Sequence, residues 1–405
     1  MTNIVVVLGS VEWEPQLLGA FAHPMLNLTI QRRCVDAIDA RSAVRTLDVD
    51  AVLVSDATLR INEDSIQDFL ECGVRVIAIS NETQKWQSLG VCDIVALDIA
   101  ELSTMVNAIR NLLRSVAPVV VMESEPTGNL IAVTGFGGGS GRSATARELS
   151  YVSCMAQEKL TLLVDADTSS PSLAIALNDE NVSRGLLALT RLAESNRLAE
   201  AEVAALTTSV FEQLWFARGL PTANRWSDLR PQALKKLWAH FRETFENTVV
   251  DVGPLHGVEG ADYSYEVIPK RSAALLTTLD AATTVVLSAR ADNVGVTRLI
   301  RGYLDNEELL TDKEVIVHLH HATDFSSQAA HTILRHTGIQ RVTSVEHSNG
   351  YVRAIQEHSF ASAFDTKVFN SHKQLLDIAL RKEEVDQNID RQQRFLRLLS
   401  SKKAA

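Results

Sequence analysis

Cysteine is scarce in this chain and never occurs at a spacing suited to a metal site or a disulfide scaffold. The four cysteines lie far apart and form no Cys-x-x-Cys pair: Cys34, Cys72, Cys92 and Cys154. Thiolate metal sites and disulfide frameworks both need cysteines at paired or clustered spacings. The sequence therefore predicts reduced thiols, as in a cytosolic protein.

Long apolar runs are also missing. No stretch of about 18 consecutive apolar residues occurs, so no membrane span is expected. The first apolar run, Ile4–Leu8, has no basic residues before it, which predicts a strand and not a signal peptide. These absences predict a cytoplasmic protein.

A surplus of basic residues is the third absence. Lysine and arginine total 39 against 50 aspartates and glutamates, which gives a formal net charge of −11. Binding to nucleic acid without sequence preference requires a basic surface that displaces counterions. Nucleic acid is therefore not an expected partner.

Length and composition are those of an ordinary globular protein. The 405 residues are 46% hydrophobic and 22% charged, and a chain of this length favours two domains over one core. The pattern predicts a first domain at residues 1–116 and a second at 130–381. A linker at 117–129 contains Pro118, Pro126 and Gly128, and a C-terminal tail occupies 382–405.

Residues 1–116 alternate short β-rich runs with helical stretches such as Asn62–Cys72 and Ile99–Val116. The predicted strands are Ile4–Leu8, Leu28–Arg32, Ala51–Ser55, Val74–Ser80 and Asp93–Leu97. Strands separated by helices indicate a parallel sheet covered on both faces. This rhythm resembles a response-regulator receiver domain, which implies a flavodoxin-like, doubly wound fold.

The receiver resemblance does not extend to the chemistry of phosphorylation. A receiver has an acidic pair after its first strand, a phosphoacceptor aspartate after its third and a lysine after its fifth. Here Leu8 is followed by glycine and serine, Ser55 stands at the acceptor position with Asp56 one place late, and Asp93–Asp98 contains no lysine. Without clustered carboxylates little would hold Mg²⁺ against a phosphoryl group. A docking or dimerisation module is expected instead.

A glycine-rich segment opens the second domain. Leu130–Thr134 is predicted to be a buried strand, Gly135–Ser143 reads GFGGGSGRS, and Ala144–Gln157 continues as a predicted helix. A glycine-rich turn alone is only a tight connection. Between a strand and a helix it is the context of a phosphate loop, whose backbone N–H groups bind phosphate oxygens. The predicted nucleotide-binding residues are Gly137, Gly138, Gly139, Ser140, Gly141, Arg142, Ser143 and Ala144.

This segment resembles the deviant Walker A loop of ParA/MinD ATPases, which reads approximately K-G-G-x-G-K-[ST]. Gly137 stands at the signature lysine, Arg142 at the phosphate-loop lysine, and Ser143 keeps the hydroxyl. The resemblance implies ATP and Mg²⁺ as ligands, a parallel-sheet P-loop domain, and a homodimer in which the signature lysine acts across the interface. Gly137 cannot supply that lysine, and a planar guanidinium does not replace a compact ammonium in a tight loop. Weakened or altered binding with little or no hydrolysis is expected.

Two aspartate motifs extend the resemblance. Leu160–Asp167 is an apolar run that ends in the pair Asp165-x-Asp167, and Asn247–Pro254 resembles a Walker B strand containing Asp251. The resemblance implies that Asp167 helps to place the attacking water. It also implies that Ser143, Asp165 and Asp251 belong to the Mg²⁺ site. An aspartate at the end of a strand is, alternatively, often only a helix cap or turn residue.

The predicted strand Glu314–His321 ends in a His-x-His-His cluster. In the superfamily, an asparagine that reads adenine usually follows this late strand. No such asparagine is evident. His318 and His320 share one strand face, but no carboxylate or cysteine joins them at ligand spacing. An ordinary strand end is expected rather than a metal site.

The order of a degenerate receiver-like domain and a ParA/MinD-like domain resembles the TadZ/CpaE branch. The run Leu214–Pro221, the helical stretch Pro231–Phe245 and the helix–strand unit Ala273–Leu287 also fit that branch. This resemblance implies a spatial regulator or scaffold that localises and helps to assemble Flp (tight-adherence) pilus machinery. Related proteins act in septum-site determination, so pilus or septum proteins are the expected partners, at a pole or septum.

The tail at 382–405 places Val385, Ile389, Phe395, Leu396 and Leu399 on one side of a helical wheel, with basic residues mostly elsewhere. This pattern is loosely similar to the membrane-binding helix of MinD proteins and allows contact with the inner membrane face. The alternative is a frayed helix or one packed in a dimer.

Two other functions remain open from the sequence. The first is a functional ParA/MinD-type ATPase in which Arg142 replaces the loop lysine. The second is a chromosome-partitioning protein associated with DNA, which the net charge of −11 disfavours.

Overall fold

The computed structural model describes residues 2–21, 26, 28–114, 127–255, 271–323 and 326–381. These residues form two compact units, the first ending at residue 114 and the second beginning at residue 127. The predicted tail at 382–405 and most of the predicted linker lie outside the described residues.

The first unit is a layered α/β structure. Its strands are β1 (Thr2–Val7), β2 (Leu28–Arg33), β3 (Ala51–Ser55), β4 (Arg75–Ile79) and β5 (Asp93–Val95), and its helices are α1 (Glu14–Phe21), α2 (Ala37–Thr46), α3 (Glu63–Glu71), α4 (Thr83–Ser88) and α5 (Leu102–Arg114). The strands pair in parallel in the order β2-β1-β3-β4-β5. This is the flavodoxin-like order of a doubly wound sheet, which confirms the predicted fold class.

Both faces of this sheet are buried because apolar residues alternate sides along each strand. Val5 and Val7 of β1 belong to one apolar cluster, whereas Ile4 and Val6 belong to a second cluster on the other face. All five residues of β3 are buried. Near-continuous apolar runs of this kind need helices on both faces of the sheet.

The second unit is larger and is also mainly parallel. Its strands are β6 (Asn129–Thr134), β7 (Thr161–Ala166), β8 (Thr208–Phe211), β9 (Leu214–Ala217), β10 (Asn247–Val252), β11 (Thr284–Arg290), β12 (Glu314–Ala322) and β13 (Val342–Glu346). Its helices are α6 (Arg142–Gln157), α7 (Leu173–Ala176), α8 (Leu186–Glu194), α9 (Glu200–Leu206), α10 (Pro231–Thr244), α11 (Ala273–Ala281), α12 (Asn293–Asp305), α13 (Ser326–Thr337), α14 (Gly350–Gln356) and α15 (Thr366–Ala379). The strand order is β13-β12-β11-β6-β10-β7-β9-β8, and only β8 pairs antiparallel among the described strands.

The topology places the predicted site at one edge of the sheet. β6 lies between β10 and β11, and β7 follows on the far side of β10. Because the carboxyl ends of parallel strands meet at the same edge, the glycine loop after β6 lies beside the ends of β7 and β10. Ligands of open α/β sheets bind at such carboxyl ends, where the chain leaves a central strand in opposite directions.

Several element boundaries differ from the sequence predictions. α6 begins at Arg142 and not at Ala144, because Gly141 takes the left-handed conformation that lets the chain enter the helix directly. β10 stops at Val252, before Gly253 and Pro254. The last described helix begins at Thr366, and the Asp365 side chain caps it by accepting the Lys367 N–H.

The longest helix described is α6, with 16 residues. Crossing a bilayer requires about 20 predominantly apolar residues in a helix. Among the residues that the structure describes, no helix meets the length and hydropathy requirements for such a crossing.

Candidate phosphate-binding site

The glycine loop between β6 and α6 has a backbone suited to binding an anion. Gly137, Gly139 and Gly141 have φ values of +114°, +70° and +89°, whereas the intervening residues do not have positive φ. A Cβ at Gly141 would lie 2.4 Å from the His320 ring, so that position has no space for a side chain. Backbones that alternate handedness in this way turn successive N–H groups toward one concave side.

The N-terminus of α6 continues this concave surface. Arg142, Ser143 and Ala144 form the first turn of the helix, and no side chain caps its N–H groups. The first N–H groups of a helix lack partners within the helix and carry partial positive charge, which favours an anionic ligand. The predicted nucleotide-binding residues thus form one continuous segment of loop and helix start.

The side chain of Arg142 lies along the ends of the neighbouring strands. Its guanidinium is 3.5 Å from Asp167 Oδ2 and 3.4 Å from the carbonyl oxygen of Val252. Both charged side chains are largely buried, at 12% exposure for Arg142 and 3% for Asp167. The positive charge that stands at the loop-lysine position is therefore engaged by a carboxylate of the same chain.

Asp167 begins a tight turn after β7. Its Oδ1 atom accepts hydrogen bonds from the backbone N–H groups of Ser169 and Ser170, at 2.8 and 3.0 Å. Its Oδ2 atom contacts Arg142. Both carboxylate oxygens thus have partners, and the bonds from Ser169 and Ser170 are those of a turn residue. The predicted role of Asp167 in placing water stays a prediction.

Asp165 and Asp251 are buried side by side. They occupy paired positions on β7 and β10, with 0% and 1% exposure. The Asp165 carboxylate accepts backbone hydrogen bonds from Leu173 and Ser172 at 3.0 Å and from Asp167 at 3.3 Å. Neither oxygen of Asp251 has a hydrogen-bond partner. A buried carboxylate without partners is costly unless a cation or proton accompanies it.

Burial raises the pKa of both carboxyl groups. Burial raises the pKa of Asp165 to about 7, although the backbone N–H groups of Leu173 and Asp167 act against the shift. Burial and the charge of Asp165 raise the pKa of Asp251 well above its ordinary value. The Ser143 hydroxyl, near Asp251 but outside hydrogen-bond geometry, and the Arg142 charge act in the opposite direction. This edge of the sheet therefore favours an additional positive charge.

The residues present fit a Mg²⁺ ion that is shared with a ligand. Ser143 and the unpartnered carboxylate of Asp251 provide the hard oxygen atoms that Mg²⁺ prefers. No group of three histidine, cysteine or acidic side chains suited to a metal occurs in the described residues. The ion would therefore take its other ligands from water and phosphate. The predicted Mg²⁺ role of Asp165 stays a prediction, since backbone N–H groups already occupy its oxygens.

A buried histidine cluster supports the loop. His318 and His320 lie on the buried side of β12 and are joined by His372 of α15, with ring centroids 5.0 Å apart for His318–His320 and 4.9 Å for His318–His372. His320 Nε2 lies 2.7 Å from the Thr145 hydroxyl of α6. Burial lowers the pKa of His320 to about 3 and also lowers those of His318 and His372. These neutral rings couple β12 and α15 to the start of α6.

The sequence interpretation of the histidine run as an ordinary strand end is incomplete. His318 and His320 are buried polar residues, and only His321 is exposed at the strand end. His321 stacks on His347, with ring centroids 5.1 Å apart. The local signal was the shared strand face of His318 and His320, but nothing in the sequence linked either residue to His372.

A cavity of about 570 Å³ adjoins the loop. Gly139, Gly141 and Ser143 line it on the loop side, and the exposed apolar residues Ile175 and Ile355 line it elsewhere. Small-molecule sites commonly have volumes of about 300–1,000 Å³. A larger cavity of about 1470 Å³ beside β13 and α14 contains none of the loop residues. Of these two cavities, the one of about 570 Å³ is therefore the candidate for a ligand whose phosphates contact the loop.

Asp56 in the first unit is held by several donors. Ser80 Oγ donates to Oδ2 at 2.7 Å, and Trp86 Nε1 and Lys85 Nζ contact Oδ1 at 2.8 and 3.3 Å. Burial raises the pKa of Asp56, but these three donors outweigh it and lower the pKa below its ordinary value. Ser55, at the acceptor position, is buried and donates to the Leu8 carbonyl. These contacts give Asp56 a structural role.

The loop, its position and the aspartates define the class of the second unit. A glycine loop joins a central parallel strand to a helix, and aspartates lie at the carboxyl ends of the next two strands, β10 and β7. This is the arrangement of a P-loop nucleotide-binding fold.

Comparison with solved structures gives the particular variant of this fold. The ParA-family ATPase of Chlorobium tepidum TLS is similar at a TM-score of 0.51 and 12% identity, covering 61% of this chain and 98% of that one. The cell division ATPase MinD of Pyrococcus furiosus gives 0.48 and 15%, with 63% and 99% covered. MinD of Pyrococcus horikoshii OT3, complexed with Mg-ADP, gives 0.48 and 13%, with 62% and 95% covered. No protein-family model and no curated protein matches the chain. The likeness to the Chlorobium structure shows a fold of the ParA-family type.

Proposed function

We propose that the second unit binds ATP with Mg²⁺ and hydrolyses it slowly or not at all, acting as a nucleotide-dependent scaffold. The observation that carries this proposal is the ion pair between Asp167 and Arg142, the residue at the loop-lysine position, together with the glycine at the signature-lysine position 137. The backbone that binds phosphate is retained, while the side chains needed for turnover are missing or already engaged.

Support for binding comes from the backbone and from one orphaned carboxylate. The alternating loop and the uncapped start of α6 present N–H groups to an anion. Asp251 lacks a partner in the interior, and Ser143 lies near it. A Mg²⁺ ion held by Ser143 and Asp251 would neutralise the buried carboxylates and offset charge on the phosphates. Binding would thereby relieve an electrostatic cost of the ligand-free protein.

Support for weak hydrolysis comes from Asp167 and Gly137. An aspartate that orients a water molecule must offer that water an acceptor atom. Neither carboxylate oxygen of Asp167 is without a donor, because Ser169, Ser170 and Arg142 donate to them. Gly137 has no side chain with which to stabilise charge that develops on a transferred phosphoryl group.

We place the protein, within this proposal, in the TadZ/CpaE type of spatial regulator. A nucleotide held between two copies stabilises a homodimer by mass action, without any turnover. Such a dimer would present a fixed surface to proteins of a pilus or septum machine. The receiver-like first unit, with Asp56 held by Ser80, Trp86 and Lys85, would act as a docking or dimerisation module.

Nucleotide binding and phosphate release test the proposal together. Titration calorimetry of the full chain with Mg-ATP should give saturable binding that Ser143→Ala and Asp251→Ala each weaken. Phosphate release should stay near the background of these two variants. Saturable turnover well above background, abolished by both substitutions, would instead establish an ATPase in which Arg142 replaces lysine. Absence of binding would refute the nucleotide-dependent scaffold.

Separate measurements address the assembly and its partners. Sedimentation equilibrium with and without Mg-ATP should show the dimer fraction rising with nucleotide. Retention on DNA at near-physiological salt would favour the chromosome-partitioning alternative, against the net charge of −11.

Membrane contact through residues 382–405 stays a prediction. Equal liposome flotation of the full chain and of a chain ending at Arg381 would contradict it.

A further inference from the structure

A second cavity adjoins the same loop, between the loop and α12. It has a volume of about 350 Å³ and is lined by Gly138, Gly139 and Ser140 of the loop and by Arg290, Asp292 and Arg298 of the β11–α12 segment. The last three are its charged residues. Arg290 Nε and Asp292 Oδ2 form an ion pair at 2.8 Å. The cavity therefore carries the net positive charge of Arg298.

Arg298 is held close to the loop by the packing of α12. The ring of Phe136 lies directly on the backbone of Gly302, where a Cβ would be 2.1 Å from the ring. This contact fixes which face of α12 is turned to the loop. Arg298 lies four residues before Gly302 and therefore on the same helix face. The placement of its side chain follows from helix geometry and one close contact.

The Arg298 guanidinium lies beside the glycine at the signature-lysine position. Its Nη1 atom would be 3.9 Å from a Cβ at Gly137, and apart from the chain neighbours of Gly137 no other described residue has an atom within 4 Å of that point. Arg298 is exposed and makes no hydrogen bond or ion pair with the residues that the structure describes. A lysine at position 137 would bring a second positive charge to the same place. A glycine at position 137 therefore avoids electrostatic repulsion with Arg298.

Ser140 supplies an independent indication that this wall of the loop receives a polar ligand. Its side chain is 8% exposed and lines the cavity, and its hydroxyl has no hydrogen-bond partner. A buried hydroxyl without a partner is uncommon, because it loses its hydrogen bonds to water without replacement. A ligand oxygen or a ligand-bound water at this wall would satisfy it.

We propose that Arg298 is a phosphate-binding residue that supplies, from α12 of the same chain, the positive charge that the loop lacks at Gly137. Its ligands are the anionic oxygens of a di- or triphosphate group on the N–H groups of Gly138 and Gly139. This inference rests on the proposed function, because it assumes that the loop binds phosphate. It differs from an action across a dimer interface, since Arg298 belongs to the chain whose loop it serves.

The test compares Arg298→Ala with Arg301→Ala in the full chain. Arg301 is an exposed arginine on the same helix that does not line the cavity, so it controls for helix stability and overall charge. The measurement is the Kd for Mg-ATP and, separately, for Mg-tripolyphosphate. A lost charge-assisted hydrogen bond weakens binding roughly tenfold or more. Arg298→Ala should therefore weaken both ligands by such a factor, and Arg301→Ala should leave both near the wild-type value.

Further outcomes support the inference or separate its possible failures. The loss in Arg298→Ala should shrink as salt is raised, and Arg298→Lys should restore part of the affinity. Equal Kd values for wild type, Arg298→Ala and Arg301→Ala would overturn this inference and leave the proposed function intact. A wild type that binds neither ligand would overturn both. A loss for ATP without a loss for tripolyphosphate would also overturn the inference, because Arg298 would then act on the nucleoside.

Discussion

His320→Gln tests whether buried neutral histidines support the loop. Burial lowers the pKa of His320 from 6.5 to about 3. Below pH 6.5 the unfolded chain therefore takes up a proton at this position that the folded chain does not. The stability associated with neutral His320 is fully present above pH 6.5 and is lost as the pH falls toward 3. Glutamine retains a group that can bond to the Thr145 hydroxyl.

The size of the stability change follows from the difference between the His320 pKa values in the unfolded and folded chains. One pKa unit corresponds to about 1.4 kcal/mol. Between pH 7.5 and 5.5, His320 should lower the free energy of unfolding by about 1.4 kcal/mol, and by nearly 3 kcal/mol at about pH 4.5. The raised pKa values of Asp165 and Asp251 act with the opposite sign, since the folded protein binds those protons more tightly. The difference between variant and wild type isolates the histidine.

Urea unfolding of the full chain, followed by tryptophan fluorescence from pH 7.5 to 4.5, measures this difference. His320→Gln should gain stability relative to wild type by about 1.4 kcal/mol per unit as the pH falls below 6.5, whatever its offset at pH 7.5. His331→Gln replaces an exposed histidine of α13 and should run parallel to wild type. Parallel curves for His320→Gln and wild type would refute the reasoning.

Three other predictions follow from the site and the first unit. In EDTA, Asp251→Asn should gain stability relative to wild type as the pH rises from 4 to 7.5. The reason is that the raised pKa of the Asp251 carboxyl makes folding less favourable above the ordinary value of 3.8. An equal gain in the exposed control Asp305→Asn would contradict this prediction. Gly141→Ala should lower the free energy of unfolding by roughly 2 kcal/mol more than Gly338→Ala, since both positions have positive φ but only the first would clash with His320. The same urea unfolding would show equal losses if the clash were unimportant. Asp56 should not be labelled by acetyl phosphate, because its oxygens are held by Ser80, Lys85 and Trp86. A phosphoryl mass gain that is present in wild type and missing in Asp56→Asn would contradict this prediction.

The strand–loop–helix unit could be predicted because its signals are local. An apolar strand, a glycine-rich turn and a helix occupy consecutive residues from 129 to 157, and each has its own composition. The aspartates could be placed near the loop for a topological reason. Parallel strands end at one edge, so Asp165, Asp167 and Asp251 had to lie near the end of β6. Positions along the chain were sufficient for these inferences.

Contacts between distant side chains could not be predicted in this way. The pairing of Arg142 with Asp167 depends on the rotamer of a long side chain, and sequence fixes only its charge. The start of α6 at Arg142 also differs from the prediction, because Gly141 enters the helix through a left-handed conformation that composition does not specify. The contacts that decide what the loop can do were therefore not predictable from its sequence.

The sequence by itself determined the layered α/β class, the phosphate loop and the absence of lysine at positions 137 and 142. These features depend on local composition and on the parallel order of strands. Only the tertiary structure decided which groups surround that loop. It brings His372 to His318 and Arg298 to Gly137, because helices remote in sequence pack against the loop and its neighbouring strands. Burial then sets the pKa values and charges that the loop experiences, and burial is a property of the folded chain.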